Sequence, residues 1–102
     1  MALIDAQDIR AAAFREAREQ GPTALGELVQ LECRYQIAAA LTRARHRRRL
    51  TQQRLAEAAN VPRDTISHLE AAQANPTMAT LTALAQRLGA ELTIELTRAA
   101  AR

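Results

Sequence analysis

The chain has 102 residues, of which 48% are hydrophobic and 2% aromatic, so it has room for one ordinary domain with a modest core of thin, closely packed helices. It has no run of the roughly 18 apolar residues that a membrane span requires, Asp5 and Asp8 stand where a signal peptide would carry basic residues, and one cysteine with two histidines is too few for an internal disulfide or a structural zinc site. The net charge is +3, with fourteen arginines and no lysine, and we expect a cytoplasmic protein, at the nucleoid, without metal or cofactor.

The first third of the chain predicts two helices separated by a break. Apolar residues at helical spacing run from Ile4 to Gln20, and Gly21-Pro22 then stops any helix. Thr23 is a candidate N-cap for a second, longer helix that continues towards Arg48. Residues 1–32 hold six acidic residues and three arginines. This acidity indicates either a surface for a basic partner or a solvated cover for the core.

Positive charge is concentrated in the middle of the chain. Residues 33–70 hold eight arginines and three acidic residues. Such a segment is expected of a protein that neutralises phosphates, but cations at the end of a helix are also stabilised by the helix dipole. Both explanations apply to the cluster at the end of the long helix, which consists of Arg43, Arg45, Arg47, Arg48 and Arg49 around His46.

Two short helices joined by a tight turn follow this basic cluster. Gln52 to Ala59 and Arg63 to Glu70 each carry apolar residues on one side, and Asn60-Val61-Pro62 lies between them. Asn60 tolerates the left-handed conformation that such a turn needs, and Ala56 is small enough for the helices to cross closely. The pattern is typical of a helix-turn-helix, which places its second helix in a DNA major groove.

The C-terminal part predicts one more helix and a short strand. After a loop from Ala71 to Pro76, Thr77 caps a helix that Gly89 closes. Apolar and polar residues then alternate, the pattern of a strand with one apolar face. Because a single strand leaves its backbone groups unpaired, we expect it to pair with its copy in a second subunit. The apolar residues of this predicted dimerisation strand are Leu92, Ile94 and Leu96.

Several linked motifs lie between Leu41 and Leu96: LTQQ from Leu50 followed by LA, TISHLE ending at Glu70, NPT from Asn75, and LGA from Leu88. Together they resemble the Cro/C1-type helix-turn-helix family of XRE-like regulators. The resemblance implies an all-α fold: a five-helix, lambda-repressor-like domain with an N-terminal helical extension and a short C-terminal β-strand. We therefore divide the chain into a helical extension at 1–30, the DNA-binding domain at 31–89, and the dimerisation strand and tail at 90–102.

The sequence departs from the family pattern in the loop after the second short helix. Ala72 stands where the family usually has glycine. Alanine accepts a positive φ less readily than asparagine or glycine, so we expect the geometry of this loop to differ. Asn60 replaces a common glycine too, but asparagine tolerates the conformation.

Two extensions of the motif resemble a narrower group. The acidic helical N-terminus and the C-terminal LGAELTIEL look like those of HigA-type antitoxins, and the strand is also similar to that of HipB-like antitoxins. The resemblance implies a type II antitoxin that represses its own operon and neutralises an mRNA interferase toxin of the RelE/HigB superfamily. The alternatives are a free-standing phage- or host-type repressor without a toxin, and an interaction-only helical protein in which the motif serves as a scaffold.

The resemblance also implies roles for individual residues. Arg63 is expected to bind guanine with its two-pronged donor, whereas Asp64 either accepts from cytosine or stabilises the start of its helix. Arg45 and Glu70 are implied as a structural salt bridge. The other candidates for contact with double-stranded DNA are Thr51, Gln52, Gln53, Thr65, Ser67 and His68, and the candidates for phosphate contact are Arg43, Arg47, Arg48, Arg49 and Arg54.

No motif predicts catalysis. An enzyme would need a nucleophile with a base, a metal cluster or a phosphate-binding loop, and Ser67 and His68, adjacent on a helix, point in different directions. The sequence therefore predicts a repressor that binds an inverted repeat as a homodimer, with half-sites roughly 34 Å apart.

Overall fold

A computed structural model describes residues 5–93, which fold into five helices. The all-α prediction is confirmed for these residues, and no strand occurs among them. Of the predicted dimerisation strand, Leu92 is described and is not in a strand, whereas Ile94 and Leu96 lie outside the described residues. Between residues 5 and 93, no helix combines the length and the apolar character needed to cross a bilayer. The helices are α1 (Ala6–Gln20), α2 (Pro22–Arg47), α3 (Gln52–Ala59), α4 (Arg63–Glu70) and α5 (Met78–Arg87).

Side-chain caps determine where three of the helices begin. Asp5, Thr51 and Thr77 each accept a hydrogen bond from a backbone N–H two or three residues later, at 3.0–3.1 Å. The prediction that Thr23 caps α2 is wrong. That helix begins two residues earlier than a cap at Thr23 would allow, at Pro22, because the fixed φ of proline suits the first helical position and its missing N–H leaves no bond unmade there.

Four helices are followed by a residue with left-handed backbone, and only one of these residues is glycine. Their φ angles are +54° at Arg49, +54° at Asn60, +59° at Ala72 and +63° at Gly89. In each case the N–H of the next residue donates to the carbonyl five positions earlier, which satisfies an acceptor that the helix leaves free. Ala72 thus adopts the conformation that glycine would supply. The expected difference in loop geometry is not seen in the φ angle of this residue.

The hydrophobic core lies among α2, α3, α4 and α5. Leu55, Ile66, Leu69 and Leu84 are fully buried at its centre, and Leu41 of α2 packs with them. α4 packs on both α2 and α3, and α5 packs on α3. Burying each of these side chains contributes about 1.5–3 kcal/mol, so the position of α4 is set by the core.

α1 folds back along the first half of α2, and we call this hairpin, α1 with residues 22–36, the arm. Arg10 connects the two helices: its Nη2 lies 2.7 Å from Oε1 of Glu32, and its guanidinium carbon lies 4.6 Å from the ring centre of Phe14. Among the residues of the arm only Ala17 is buried. The arm therefore has far less core of its own than the four helices described above.

α2 belongs to both parts of the molecule. Leu41, in its second half, is 8% exposed in the core, whereas Leu31, in its first half, is 39% exposed on the arm. The predicted boundary between residues 30 and 31 falls inside this continuous helix. The arm is thus joined to the core by helix rather than by a linker.

Candidate nucleic-acid interface

α3 and α4 are joined by the turn that the sequence predicts. Asn60 follows α3 with φ +54° and ψ +48°, and the N–H of Val61 donates to the carbonyl of Ala56 at 3.0 Å. Ala56 is only 4% exposed, at the place where a larger side chain would separate the two helices. This close crossing leaves the outer face of α4 directed to solvent.

A shallow depression of about 570 Å³ lies between the N-terminal ends of α3 and α4. The amide N–H groups at the start of a helix carry partial positive charge and favour an anion. Arg63, at the first position of α4, adds a full positive charge to the depression. It is lined by Arg45, Thr51, Gln52, Gln53 and Arg63, which come from three helices and the cap of α3.

The outer face of α4 carries most of the candidate base contacts. Arg63, Asp64 and His68 are exposed, and Ser67, on the same side of the helix, is half-buried. Thr65 is also half-buried but lies towards the side of the helix that faces the core, because it stands about 200° round from Arg63. The structure thus gathers Arg63, Asp64, Ser67 and His68 on one face and leaves Thr65 at its edge.

Apart from Arg45, the arginines of the cluster at the end of α2 are exposed and do not line the depression. The guanidinium of Arg48 lies at the C-terminal end of α5: a Cβ added to Gly89 would be 3.4 Å from its Nη1. Its charge there matches the negative end of the α5 dipole. Arg43, Arg47 and Arg49 point into solvent, as does Arg54 on α3.

All three guanidinium nitrogens of Arg45 donate hydrogen bonds within the protein. Its Nε and Nη2 donate to the two carboxylate oxygens of Glu70 at 2.7 and 2.8 Å, and its Nη1 donates to the carbonyl of Leu50 at 2.8 Å. The side chains of Arg45 and Glu70 are 13% and 7% exposed. A two-pronged bond of this kind fixes orientation as well as distance. It ties the last residue of α4 to the last turn of α2.

Gln52 makes a third connection to the same carboxylate, with its Nε2 donating to Oε1 of Glu70 at 3.2 Å. Burial raises the pKa of Glu70, but hydrogen bonds from Arg45, Gln52 and Thr42, with the charge of Arg45, outweigh it and hold that pKa below its ordinary value. The hydrogen bond to Glu70 raises the pKa of Arg45 against the opposing effect of its burial. No sequence spacing links residues 52 and 70, so the pattern predicted Gln52 only as a DNA contact.

The chemistry available on this surface is hydrogen bonding and positive charge. The described part of the chain holds no group of His, Cys, Asp and Glu side chains close enough together to bind a metal ion. Cys33 is a free thiol exposed on α2, away from the depression. These donors suit a polyanion that lies across both helix N-termini.

The comparisons with known proteins agree with this geometry. Residues 36–99 match a protein family described as a helix-turn-helix domain, and the match covers more than half of the chain, including α3, α4 and α5. This match supports the resemblance to XRE-like regulators. Neither the comparison with curated proteins nor that with solved structures gave a match. The chain belongs to the helix-turn-helix domain family.

Proposed function

We propose that this protein is a sequence-specific transcriptional repressor, which binds an inverted repeat in double-stranded DNA as a homodimer. The observation that carries the proposal is the depression in which exposed Arg63 stands beside the capped start of α3. Membership of the helix-turn-helix family supports DNA binding as the function of this surface.

The way α4 is held supports a role in recognition. Ile66 and Leu69 are buried on its inner face, and Glu70 is bound by Arg45 and Gln52 at its end. Base recognition requires side chains held in a fixed orientation, which rigid helices provide better than loops do. α4 is therefore a suitable support for the side chains that would enter the major groove.

Arg63 is the residue proposed to read sequence. Its guanidinium can donate two hydrogen bonds to O6 and N7 of guanine, and such a pair contributes about 1–3 kcal/mol of discrimination against another base. The exposed arginines at the end of α2 other than Arg48 would neutralise phosphates on either side, which adds affinity but no sequence preference. Occupancy of a repeat that overlaps a promoter would exclude polymerase.

Fluorescence anisotropy tests this proposal. The purified protein is titrated with its own upstream promoter DNA and with a scrambled duplex, at several salt concentrations. Arg63→Ala is expected to reduce the preference for the promoter roughly 5- to 150-fold, whereas Arg15→Ala, which removes an exposed arginine from α1, is expected to leave it unchanged. Equal binding of both duplexes by the unaltered protein would contradict the repressor and favour the interaction-only alternative.

We propose further that the repressor is an antitoxin of HigA type whose partner is an mRNA interferase of the RelE/HigB superfamily. The arm supports this, since it offers a second surface outside the helix-turn-helix. The acidity of the N-terminal third does not extend to α1 itself, which has three acidic and three basic residues. Charge alone therefore does not select α1 as the toxin-binding surface.

Co-expression tests the antitoxin proposal. The product of the adjacent gene is produced alone and with this protein, and cell growth and co-purification are measured. We expect growth arrest by the adjacent product alone, rescue by this protein, and a stable complex of the two. Absence of both rescue and complex would leave the free-standing repressor.

A further inference from the structure

We infer that the groove between α1 and α2 is the surface by which two copies of this chain bind each other, so that the arms form the dimer. The inference rests on the homodimer of the proposed function and specifies its interface. It replaces the predicted C-terminal strand with a helical interface as the principal contact.

The groove is apolar and open. It has a volume of about 410 Å³, and Phe14, Leu28, Leu31, Tyr35 and Ala39 line it. Tyr35 is 61% exposed and Leu31 is 39% exposed. Of the six large hydrophobic side chains exposed between residues 5 and 93, four lie on the arm. The exposed apolar surface is thus concentrated where the protein has least core of its own.

α1 and α2 pack their apolar faces against each other, but they leave a second apolar surface exposed to water, which is unfavourable. Helical domains are stable when each apolar stripe packs on another layer, and here α1 provides only one such layer. Packing the arms of two copies would complete a four-helix bundle, the usual arrangement for helices of this length. Tyr35 suits the centre of such an interface, because tyrosine supplies a large contact area and a polar hydroxyl.

The charges favour a second copy over a strongly basic partner. Arg10 and Glu32, at the edge of the groove, already neutralise each other at 2.7 Å. Along α2, acidic Glu27 and basic Arg43 lie eight residues on either side of Tyr35. Antiparallel packing of two copies of α2 that cross at Tyr35 places Glu27 of each copy at the level of Arg43 of the other. A two-fold axis produces this arrangement, because it pairs each surface with itself.

The length of α2 also fits a dimer that binds DNA. Tyr35 lies near the middle of α2, and ten residues separate it from Arg45, a rise of about 15 Å along the helix. When two copies of α2 cross antiparallel at Tyr35, the two Arg45 residues stand about 30 Å apart along the helices. Since each Arg45 holds the end of its own α4, this spacing approaches the roughly 34 Å between half-sites.

Mass measurement by multi-angle light scattering tests the inference on the full chain. The unaltered protein is expected to have the mass of a dimer, and Tyr35→Glu is expected to have that of a monomer with the same helical circular dichroism. Gln30→Glu is the matched control: it adds the same charge to an exposed position of α2, about 140° round the helix from Tyr35. It is expected to remain a dimer.

A cross-link gives a positive result that does not depend on loss of assembly. In a Cys33→Ser background, Tyr35→Cys places a thiol near the two-fold axis, and oxidation with diamide is expected to join two chains by a disulfide. Gln30→Cys in the same background is expected to stay uncrosslinked. Absence of the cross-link at position 35 would overturn the inference.

The remaining outcomes separate the interface from the function. A monomeric unaltered protein overturns the inference, as does a dimer that survives Tyr35→Glu but is lost in Ile94→Glu, which would assign dimerisation to the C-terminal segment. If Tyr35→Glu still prefers the promoter sequence on a single half-site, at lower affinity, the result supports both the arm interface and the repressor. An arm-mediated dimer that binds promoter and scrambled DNA equally upholds the interface and contradicts the repressor.

Discussion

Gln52, the first residue of α3, donates a hydrogen bond at 3.2 Å to Glu70, the last residue of α4. The same carboxylate receives the two-pronged bond from Arg45 in the last turn of α2. Three helices are therefore connected through one side chain, beside the proposed DNA surface.

Replacing Glu70 by glutamine is expected to lower the free energy of unfolding by about 2–4 kcal/mol. The charge of Arg45 would lose its counter-charge at a place where its side chain is only 13% exposed. Urea denaturation at pH 7, followed by circular dichroism, measures the loss. Glu57→Gln, at an exposed position of α3, is the control and should change stability by less than about 0.5 kcal/mol. Equal effects of the two substitutions would contradict a structural role for Glu70.

Acid is expected to weaken the protein through the same carboxylate. The pKa of Glu70 is lower in the folded state than its ordinary value of 4.5, so the unfolded state binds the proton more readily. The stabilisation is fully present above the unfolded pKa and is lost as the pH falls through the folded pKa. Urea midpoints measured from pH 7 to pH 3 should therefore decline more steeply below about 4.5 in the unaltered protein than in Glu70→Gln. Parallel declines would show that other groups dominate.

Two neighbouring arginines should differ in their effect on DNA binding. Arg47 is exposed, whereas the guanidinium of Arg48 lies beside Gly89 at the end of α5. Arg47→Ala is expected to weaken binding to all duplexes alike and to reduce the slope of log affinity against log salt by about 1. Arg48→Ala is expected to leave that slope unchanged. The slopes are measured by anisotropy from low to moderate salt. A smaller slope for Arg48→Ala with an unchanged slope for Arg47→Ala would place Arg48 at the phosphates.

Glycine at position 49 is expected to stabilise the protein. Arg49 is exposed and has φ +54°, a conformation that costs most residues about 1–2 kcal/mol. Glycine would remove this cost, but about 0.4–1 kcal/mol of the benefit is lost because glycine gives the unfolded chain more freedom. Arg49→Gly should thus raise the free energy of unfolding by about 0.5–1 kcal/mol. Arg43→Gly, which places glycine at an exposed position inside α2, should lower it, and a decrease in both would contradict the strain at Arg49.

The limits of the helices could be predicted largely from local chemistry. Thr77 starts a helix because its hydroxyl accepts a backbone N–H three residues on, and Gly21-Pro22 separates α1 from α2 because proline cannot continue a helix. These effects act within one turn, so a sequence pattern contains them. Thr23 was assigned wrongly because proline can also begin a helix, in competition with a capping hydroxyl.

The candidate site could be predicted only in part. The pattern of α3 and α4 indicates Arg63 and its neighbours, but the bond from Gln52 to Glu70 depends on packing between segments eighteen residues apart. Likewise, helical periodicity identifies Leu28, Leu31 and Tyr35 as one apolar stripe. It does not say which part of the stripe α1 covers, and the structure leaves Tyr35 open.

Because α2 is continuous, it fixes the angle between the arm and α4 about the helix axis. The helix has 26 residues and a length of about 39 Å, with the arm at one end and the bond to α4 at the other. Inserting one residue near its centre would turn the arm by about 100° relative to α4 and displace it by about 1.5 Å. Whatever binds the arm is therefore set at a fixed angle to the helix proposed to enter the major groove. Because half-sites shifted by a few base pairs also rotate around the DNA axis, such a rigid molecule would distinguish operators by the length of their spacer.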